Sequence, residues 1–417
     1  MTDLAAGSLV LGEFDPQEYS VAELPPELGE QLWREYGMPP RKLDVEFPSP
    51  KTNGRWRLTN PGHVGLLPLG SDRTLSLQPK VPIINVFRML EYAYRLDVFR
   101  GPENVVGARS MQEVYESLAR VLARRVRDRG RKGLHRTYVS REERLGVVRG
   151  RIDLRRLLRR GADPRLHCRF EEHTSDHVDN QILFDALDRI LRSGLCRGQA
   201  RAEVREAHRL LRGAISPTSF VERDVVGRPY NRLNHDYRGL HALARFFIAH
   251  TGPTQRVGGD HMTPFIIDMA QLFEKFVAAW LREHLPAGLS VEEQESGSYD
   301  QEGEIGYRID LVLYDGAGRP RAVMDTKYKR EAVPTADDVA QVVSYATRRE
   351  CRDAVLVYPF ALPTPKDFQV GGIRVQTAGF PLDRKLGLAG AALREVGQSL
   401  LDASDAVFLQ SAVAGFR

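Results

Sequence analysis

RIDLVLYDGAGRPRAVMDTKYKR, Arg308–Arg330, is the stretch that decides the fold. Ile309 to Tyr314 is apolar apart from Asp310, and Ala322 to Tyr328 is apolar apart from Asp325, Thr326 and Lys327. DGAGRP between them supplies the residue types of a tight reversal, so the pattern predicts two strands joined as a hairpin. On a strand Asp325 and Lys327 share a face, about 7 Å apart at their Cα atoms, with Thr326 turned the other way. Asp310 stands alone among apolar neighbours on the preceding strand. Two carboxylates and one lysine are therefore expected to converge at the edge of a sheet.

That combination suits hydrolysis of a phosphodiester. Paired carboxylates hold a hard divalent cation through oxygen ligands. The cation polarises the phosphate and acidifies a bound water. A nearby ammonium orients that water or stabilises the charge developing on the phosphate. A bare D-x-K is a common surface pattern, and solvated hairpin charges would do nothing in particular. The context here is more specific: an Asp on one apolar strand, then D-x-K on a second.

The flanking segments extend the pattern. PFIIDMAQLFEKFVAAWLREHL (Pro264 to Leu285) is an amphipathic helix, with Leu272, Phe273, Phe276, Val277 and Trp280 on its apolar stripe and Glu274 beside it. Glu274 is either a helix-surface acid or part of the same cluster. Downstream, AVPTADDVAQVVSYATRR is a second helix, with Thr335 as its N-cap and Gln341 and Tyr345 on one face. AVLVYP (Ala354 to Pro359) is a short buried strand, and GIRVQTAGFPL (Gly372 to Leu382) a further one.

The order helix, strands, helix, strand, with Glu274, Asp310 and Asp325-Thr326-Lys327, resembles the PD-(D/E)xK nuclease fold. FIIDMAQLFEKFV followed by RIDLVL and VMDTKYK is similar to the McrC family, the nuclease subunits of McrBC-type modification-dependent (type IV) restriction systems. Ile309 stands where the generic signature has Pro. The resemblance implies Mg²⁺ (or Mn²⁺) on Asp310 and Asp325, with Lys327 supporting the attacking water. It also suggests Glu274 as an additional ligand or supporting acid, and Gln341 as a residue that positions the lysine, the water or a phosphate. It further implies cleavage of methylcytosine-containing double-stranded DNA, an McrB-like AAA+ GTPase as partner, and pairing of two nuclease domains for a double-strand cut.

Size and composition set the frame. The chain has 417 residues, 42% of them hydrophobic, enough for two or three domains with real cores. No apolar run approaches the length of a membrane span. The acidic start MTDLAAGSLVLGEFD does not read as a signal peptide. Cys168, Cys196 and Cys351 are too widely spaced for a zinc pattern or a disulfide framework, which suggests a reduced, cytoplasmic protein. The net charge of +5 is compatible with nucleic acid. There is no P-loop signature, so any nucleotide triphosphate chemistry belongs to a partner.

The expected organisation is multidomain α+β and α/β. Residues 1–45, acidic and rich in Pro and Glu, read as a docking segment or solvated extension with one short helix. Residues 46–104 read as a small β-rich, partner-binding domain. Its segment LQPKVPIINVFRML resembles the amino-terminal part of McrC-like proteins, which engages and stimulates the GTPase; Lys80 and Asn85 fit a structural role there as well as a stimulating one. Residues 105–255 read as a helical, basic region facing DNA, and 256–417 as the nuclease-like domain. Between Arg120 and Arg160 lie sixteen Arg or Lys against four acids. ERLGVVRGRIDLRRLLRRG is the densest part, with Arg149, Arg151, Arg155 and Arg156 as candidate phosphate contacts. The same density also arises from solvated faces in an Arg-rich proteome. HTSDH (His173 to His177) has i, i+4 spacing but lacks further ligands at a familiar distance. Two other functions stay open at this stage: a non-catalytic subunit that bridges GTPase rings, and a DNA-repair or RNA nuclease on the same fold.

Overall fold

The computed structural model describes residues 9–69, 73–96, 110–153, 165–252, 255–257, 260–262, 264–298, 300, 304, 306–329, 333–382 and 389–401. The chain divides into two compact units, Met1–Met111 with Ile266–Arg417, and Gln112–Phe265. Residues 46–104 and 266–417, expected in separate domains, thus share one unit, and 256–265 fall in the other.

The first surprise is at the amino end. β1 (Leu9–Gly12) and β2 (Gln17–Tyr19) precede a helix over Pro26–Leu32 that runs on as a π turn, Trp33–Gly37. β3 (Asp44–Glu46), β4 (Trp56–Thr59), β5 (His63–Leu69) and β6 (Arg73–Gln78) follow. β1 pairs in parallel with β6, and β2 and β3 flank β4. Leu11, Leu24, Leu32 and Leu43 are fully buried in one core with Trp56 and Leu75. Residues 9–45 are therefore part of the folded body and not a solvated extension. Except for the buried Glu13, their acids are partly or fully exposed while sparsely spaced leucines fill the core, so the average composition concealed the pattern. Gly29 is needed where the helix crosses Trp56, because a Cβ there would lie 2.4 Å from the indole ring. The helix expected near Ile84 spans Ile83–Tyr94.

The second unit is not purely helical. Its helices cover Met111–Arg131, Val178–Arg192, Gly198–Leu211 and Tyr237–His250, close to the periodic segments, with Val114, Leu118, Leu122 and Val126 fully buried. The dense basic stretch, however, falls on a three-stranded sheet. β7 (Thr137–Leu145) and β8 (Arg151–Ile152) lie on either side of β9 (Leu166–Thr174). No residue of β7 is buried, so the alternation of apolar and polar residues that marks a half-buried strand is missing there. β10 (Gln255–Val257) and β11 (Asp260–Met262) form a short hairpin.

β12 (Phe265–Asp268) completes the sheet ordered β1-β6-β5-β12. Asp268 then caps the helix Met269–His284, its carboxylate accepting from the N–H groups of Ala270 and Gln271. The remaining strands are β13 (Leu289–Ser298), β14 (Gly306–Asp315), β15 (Pro320–Thr326), β16 (Asp353–Tyr358), β17 (Asp367–Val370) and β18 (Ile373–Gly379). They form one sheet ordered β13-β14-β15-β16-β18-β17, antiparallel from β13 to β15 and parallel from β15 through β16 to β18. The expected hairpin is β14-β15. Asp315 closes its turn by accepting from Ala317 N and Arg319 N, and Gly318 takes the positive φ of 74°. The helix Ala336–Arg348 links β15 to β16, capped by Thr335 as expected, and its Val342 and Ala346 pack with Val312, Val323 and Leu356. Among the described residues no helix is long and apolar enough to cross a membrane.

Candidate active site

β14 and β15 bring the two aspartates together. One step beyond the Leu311↔Met324 pair, Asp310 stands beside Asp325, and residues opposite each other in an antiparallel pair share a face. β15 ends at Thr326. There the Asp310 carboxylate replaces a cross-strand carbonyl: its Oδ2 accepts from Thr326 N at 2.8 Å and from Thr326 Oγ1 at 2.9 Å. Thr326, expected to turn away, thus fixes Asp310, because the ladder has run out of backbone acceptors at that point.

Asp325 is 2% exposed, and Lys327 Nζ lies 2.6 Å from its Oδ2. Lys327 also donates to Gln341 Oε1 at 2.7 Å, and Gln341 in turn donates to the Tyr345 hydroxyl at 2.8 Å. Glu274, on the helix Met269–His284, is 6% exposed, and its Oε1 has no hydrogen-bond partner among the described residues. The structure therefore gathers Asp310, Asp325 and Lys327 with Gln341, and brings Glu274 within reach of Asp310's charge.

The electrostatics are those of a site with surplus negative charge. Burial, followed by the charge of Asp310, pushes Asp325 up to about 6, against the opposing pull of Lys327. Burial and again Asp310 push Glu274 up to about 7, opposed by a hydrogen bond from Gln294 and by Arg308. Burial disfavours the Lys327 ammonium, but Asp325 and Asp338 more than offset this and hold its pKa above the usual range. Three clustered acids and a carboxylate oxygen without a donor fit a hard divalent cation, which would supply the missing positive charge. Asp310 and Asp325, side by side across the hairpin, could hold such a cation, with Glu274 as a candidate further ligand.

Two contributors had no site role legible in the sequence. Gln294 lies across β14 from Asp310, between the pairs Glu293↔Leu311 and Glu295↔Ile309, at a positive φ of 57°. Its side chain hydrogen-bonds Glu274. Asp338 binds Lys329 Nζ at 2.6 Å and lies 3.4 Å from Lys327 Nζ. Burial works against its charge, yet hydrogen bonds from Lys329 and Thr335 hold it down at about 2. Asp338 was legible only as a first-turn acid of a capped helix. Gln294 sits in a polar strand with no distinguishing pattern.

The basic candidates lie in the other unit. Arg149 stacks over the Phe170 ring at 4.0 Å and pairs with Glu172 at 3.4 Å. Arg151 lines a shallow cavity of about 200 Å³ with Glu142, His167 and Arg169. Arg155 and Arg156 lie outside the described residues. His173 and His177 do not pair as ligands: His173 packs on Tyr138, while His177 meets His135 and Asp179. Asp179 is already engaged by Arg228 and Asn234, so this trio is a cross-linked hydrogen-bond network and a poor seat for a cation.

Comparison with known proteins adds three findings. The sequence profile of the family described as McrBC 5-methylcytosine restriction system component matches residues 58–359. No curated protein sequence matches the chain. Among solved structures, a chain of the refined half-complex from the tetradecameric assembly of Thermococcus gammatolerans McrB AAA+ hexamers with bound McrC aligns at TM-score 0.54 and 19% identity. The alignment covers 93% of this chain and 98% of that one. At such identity the likeness concerns the fold alone. A chain of the cryo-EM structure of the Thermococcus gammatolerans McrBC complex aligns at TM-score 0.39 and 20% identity, over 66% of this chain and 87% of that one, too low to carry weight.

Proposed function

Because the chain belongs to the McrBC 5-methylcytosine restriction system component family, we propose that it is an McrC-type nuclease subunit that hydrolyses phosphodiesters of modified double-stranded DNA. The observation that carries this reading is the cluster itself. Asp310 and Asp325 stand side by side on an otherwise apolar sheet, Lys327 pairs with Asp325, and burial with the charge of Asp310 raises the pKa of both Asp325 and the helix-borne Glu274. A surface pattern without function would leave these acids solvated or each matched to an arginine.

In this reading the β14-β15 hairpin, the helix Ala336–Arg348 and β16 form the heart of a PD-(D/E)xK nuclease domain, with Ile309 in the place of the usual Pro. Asp310, Asp325 and Glu274 hold Mg²⁺ or Mn²⁺, which when bound supplies a polarised phosphate and an acidified water. Thr326 keeps the Asp310 carboxylate aimed at the site. Lys327 places its ammonium where charge develops on the scissile phosphate, and Gln341 fixes its direction. Burial of the acids keeps competing water away from the cation.

The partners follow from the same reading. The aligned Thermococcus gammatolerans assembly contains McrB AAA+ hexamers with bound McrC. This chain accordingly takes an McrB-like AAA+ GTPase as partner in the cytoplasm, where methylcytosine recognition and GTP hydrolysis reside on the partner. Arg149, Arg151, Arg155 and Arg156 contact the DNA backbone, and two nuclease domains pair for a double-strand cut. The test is cleavage of methylated plasmid by the assembled complex with GTP and Mg²⁺, comparing wild type with Asp325→Ala. Loss of cleavage with GTP hydrolysis retained supports the assignment. Undiminished cleavage by Asp325→Ala overturns it and leaves a bridging, non-catalytic subunit as the function.

A further inference from the structure

Tyr328 stands between Lys327 and Lys329 and leaves the site in the opposite direction. Its buried ring carries a hydroxyl that donates to Glu13 Oε2 at 3.0 Å. Lys80 meets the same ring, its Nζ 4.1 Å from the Tyr328 centroid and 4.6 Å from those of Phe14 and Phe360. The Lys80 ammonium donates to the main-chain oxygen of Lys329 at 2.6 Å, while the Lys80 N–H donates to Glu13 Oε2 at 3.3 Å. Glu13 and Lys80 both belong to the amino-terminal part of the chain, more than two hundred residues before the hairpin they grip.

We propose that Lys80 and Glu13 are positioning residues of the nuclease site, holding Lys327 against Asp325 through the Tyr328 side chain and the Lys329 carbonyl. The proposal rests on the nuclease reading above and adds to it that the amino-terminal body completes the site.

The local geometry explains why such a grip is needed. The β15 ladder ends at Thr326, so the residues that follow leave the regular strand. Lys327 N still donates to Val357 O at 2.8 Å. Lys327 has two acids in reach, Asp325 at 2.6 Å and Asp338 at 3.4 Å. A small rotation of the segment would transfer its ammonium from the first to the second and away from the reacting phosphate. Asp338 pulls on the segment from one side, through Lys329. Tyr328 and the Lys329 carbonyl are held from the other, and the two restraints together fix the rotation.

Packing alone does not account for Lys80. An ammonium placed among three rings loses hydration, which ring faces and one carbonyl only partly replace. An aliphatic side chain would fill the same space with less desolvation. The charged donor makes sense as a directed bond to Lys329 O, two residues beyond the side chain it positions.

The test is single-turnover cleavage of methylated DNA by the full chain assembled with its GTPase partner, in saturating Mg²⁺ and GTP. Wild type, Asp325→Ala, Lys80→Met and Tyr328→Phe are compared. Lys80→Met keeps the stem inside the cage and removes the donor; Tyr328→Phe removes only the bond to Glu13. The expected result is a rate constant lowered roughly 10- to 100-fold in Lys80→Met and several-fold in Tyr328→Phe. The reaction amplitude and the half-saturating DNA concentration should stay at wild-type values. A merely structural role lowers the amplitude, which counts folded complexes, and leaves the rate constant alone; that outcome overturns the proposal. So do wild-type rate constants in both variants while Asp325→Ala is inactive, and in that case the nuclease reading survives. Active Asp325→Ala removes the nuclease reading itself. If Lys80→Met does not assemble, the rate constant of Tyr328→Phe decides.

Discussion

The six-stranded sheet sets its charges among buried neighbours, whereas the β7-β9-β8 sheet of the other unit leaves nearly all of its charges in water. On the first, Asp325 and Glu274 are 2% and 6% exposed, and Asp310 is half-buried beside them. Burial and the charge of Asp310 raise the pKa of both Asp325 and Glu274. On the second, Arg141 and Arg149 both reach Glu172, at 3.3 and 3.4 Å, and Arg169 lies 3.9 Å from Glu142. Those pairs are partly or largely exposed. Exposed pairs of this kind contribute about 0–1 kcal/mol each and exchange readily for other partners. Buried like charges behave oppositely: they oppose folding and favour whatever neutralises them. On the proposed reading a cation is therefore expected at the first sheet, and loose, salt-sensitive contact with a polyanion at the second.

The largest effect expected from this contrast is on chemistry. Asp310→Asn or Asp325→Asn should lower cleavage by more than about 100-fold, the upper range for losing a group that merely orients a ligand. Asp325→Asn should not lower the melting temperature of the metal-free protein near neutral pH, because burial and Asp310 disfavour its charge more than Lys327 favours it. A large loss of stability would mean that the acids are structural and that the contrast between the sheets is false. Next comes pH. Asp325 and Glu274 titrate at about 6 and about 7 in the folded chain, above their ordinary values. Stability linked to them is thus fully present at low pH and is lost as pH rises through those values. Relative to Glu274→Gln, the metal-free protein should melt progressively lower between about pH 5 and about pH 7.5, a difference free of the opposing contribution of buried His241 and the like contribution of Glu13. Added Mg²⁺ should raise the melting point most at the alkaline end, and Glu274→Gln should flatten the slope. A melting temperature that rises over the same interval relative to that variant would contradict the sign.

The same contrast governs what could be read from the sequence. Asp310, Asp325 and Lys327 were conspicuous because they interrupt apolar runs, and a charge inside a buried strand needs a reason. The hairpin, the helix Ala336–Arg348 and Thr335 as a cap followed from local chemistry that tertiary contacts did not override, whereas the upstream helix, expected from Pro264, begins only at Met269 because Phe265–Asp268 pairs into a sheet as β12. Gln294 was illegible because its role depends on a cross-strand neighbour sixteen positions away and on an unusual backbone φ, neither of which leaves a local trace. Lys80 was legible as a residue without an assignment, since its partners Tyr328 and Phe360 are remote in the chain. The β7-β9-β8 sheet was mistaken for part of a helical region because β7 buries no residue, β8 is two residues long, and only Cys168 and Phe170 mark the inner face of β9. The amino-terminal 9–45 segment was mistaken for an extension because its core leucines are few and widely spaced.

Gly150 tests how firmly the second sheet is built. It has φ 68°, and a Cβ there would lie 2.4 Å from the Arg169 carbonyl oxygen and 2.7 Å from Phe170 Cβ. The chain leaving β7 must cross β9 closely at this point before entering β8. Gly150→Ala should therefore cost about 1–3 kcal/mol, from backbone strain and the forced displacement of β9. Chemical denaturation measures it, and a cost near zero would mean that β8 detaches freely.

The smallest effects are expected from the arginines on either side of that glycine. Arg149 is held by a half-exposed ion pair with Glu172 and by the face of Phe170. Arg149→Gln should change stability by no more than about 1 kcal/mol. Its effect on DNA should nonetheless be visible in the salt dependence. If Arg149 and Arg151 each neutralise one phosphate, the double variant Arg149→Gln/Arg151→Gln lowers the slope of log affinity against log salt by about 2, equally for methylated and unmodified duplex. An unchanged slope means that the guanidinium of Arg149 stays on Glu172 when DNA is present and that Arg151 meets no phosphate. The sheet's charges would then be surface pairing and nothing more. A slope change confined to methylated DNA would give this unit a part in recognition, which a set of exposed, interchangeable ion pairs is poorly suited to provide.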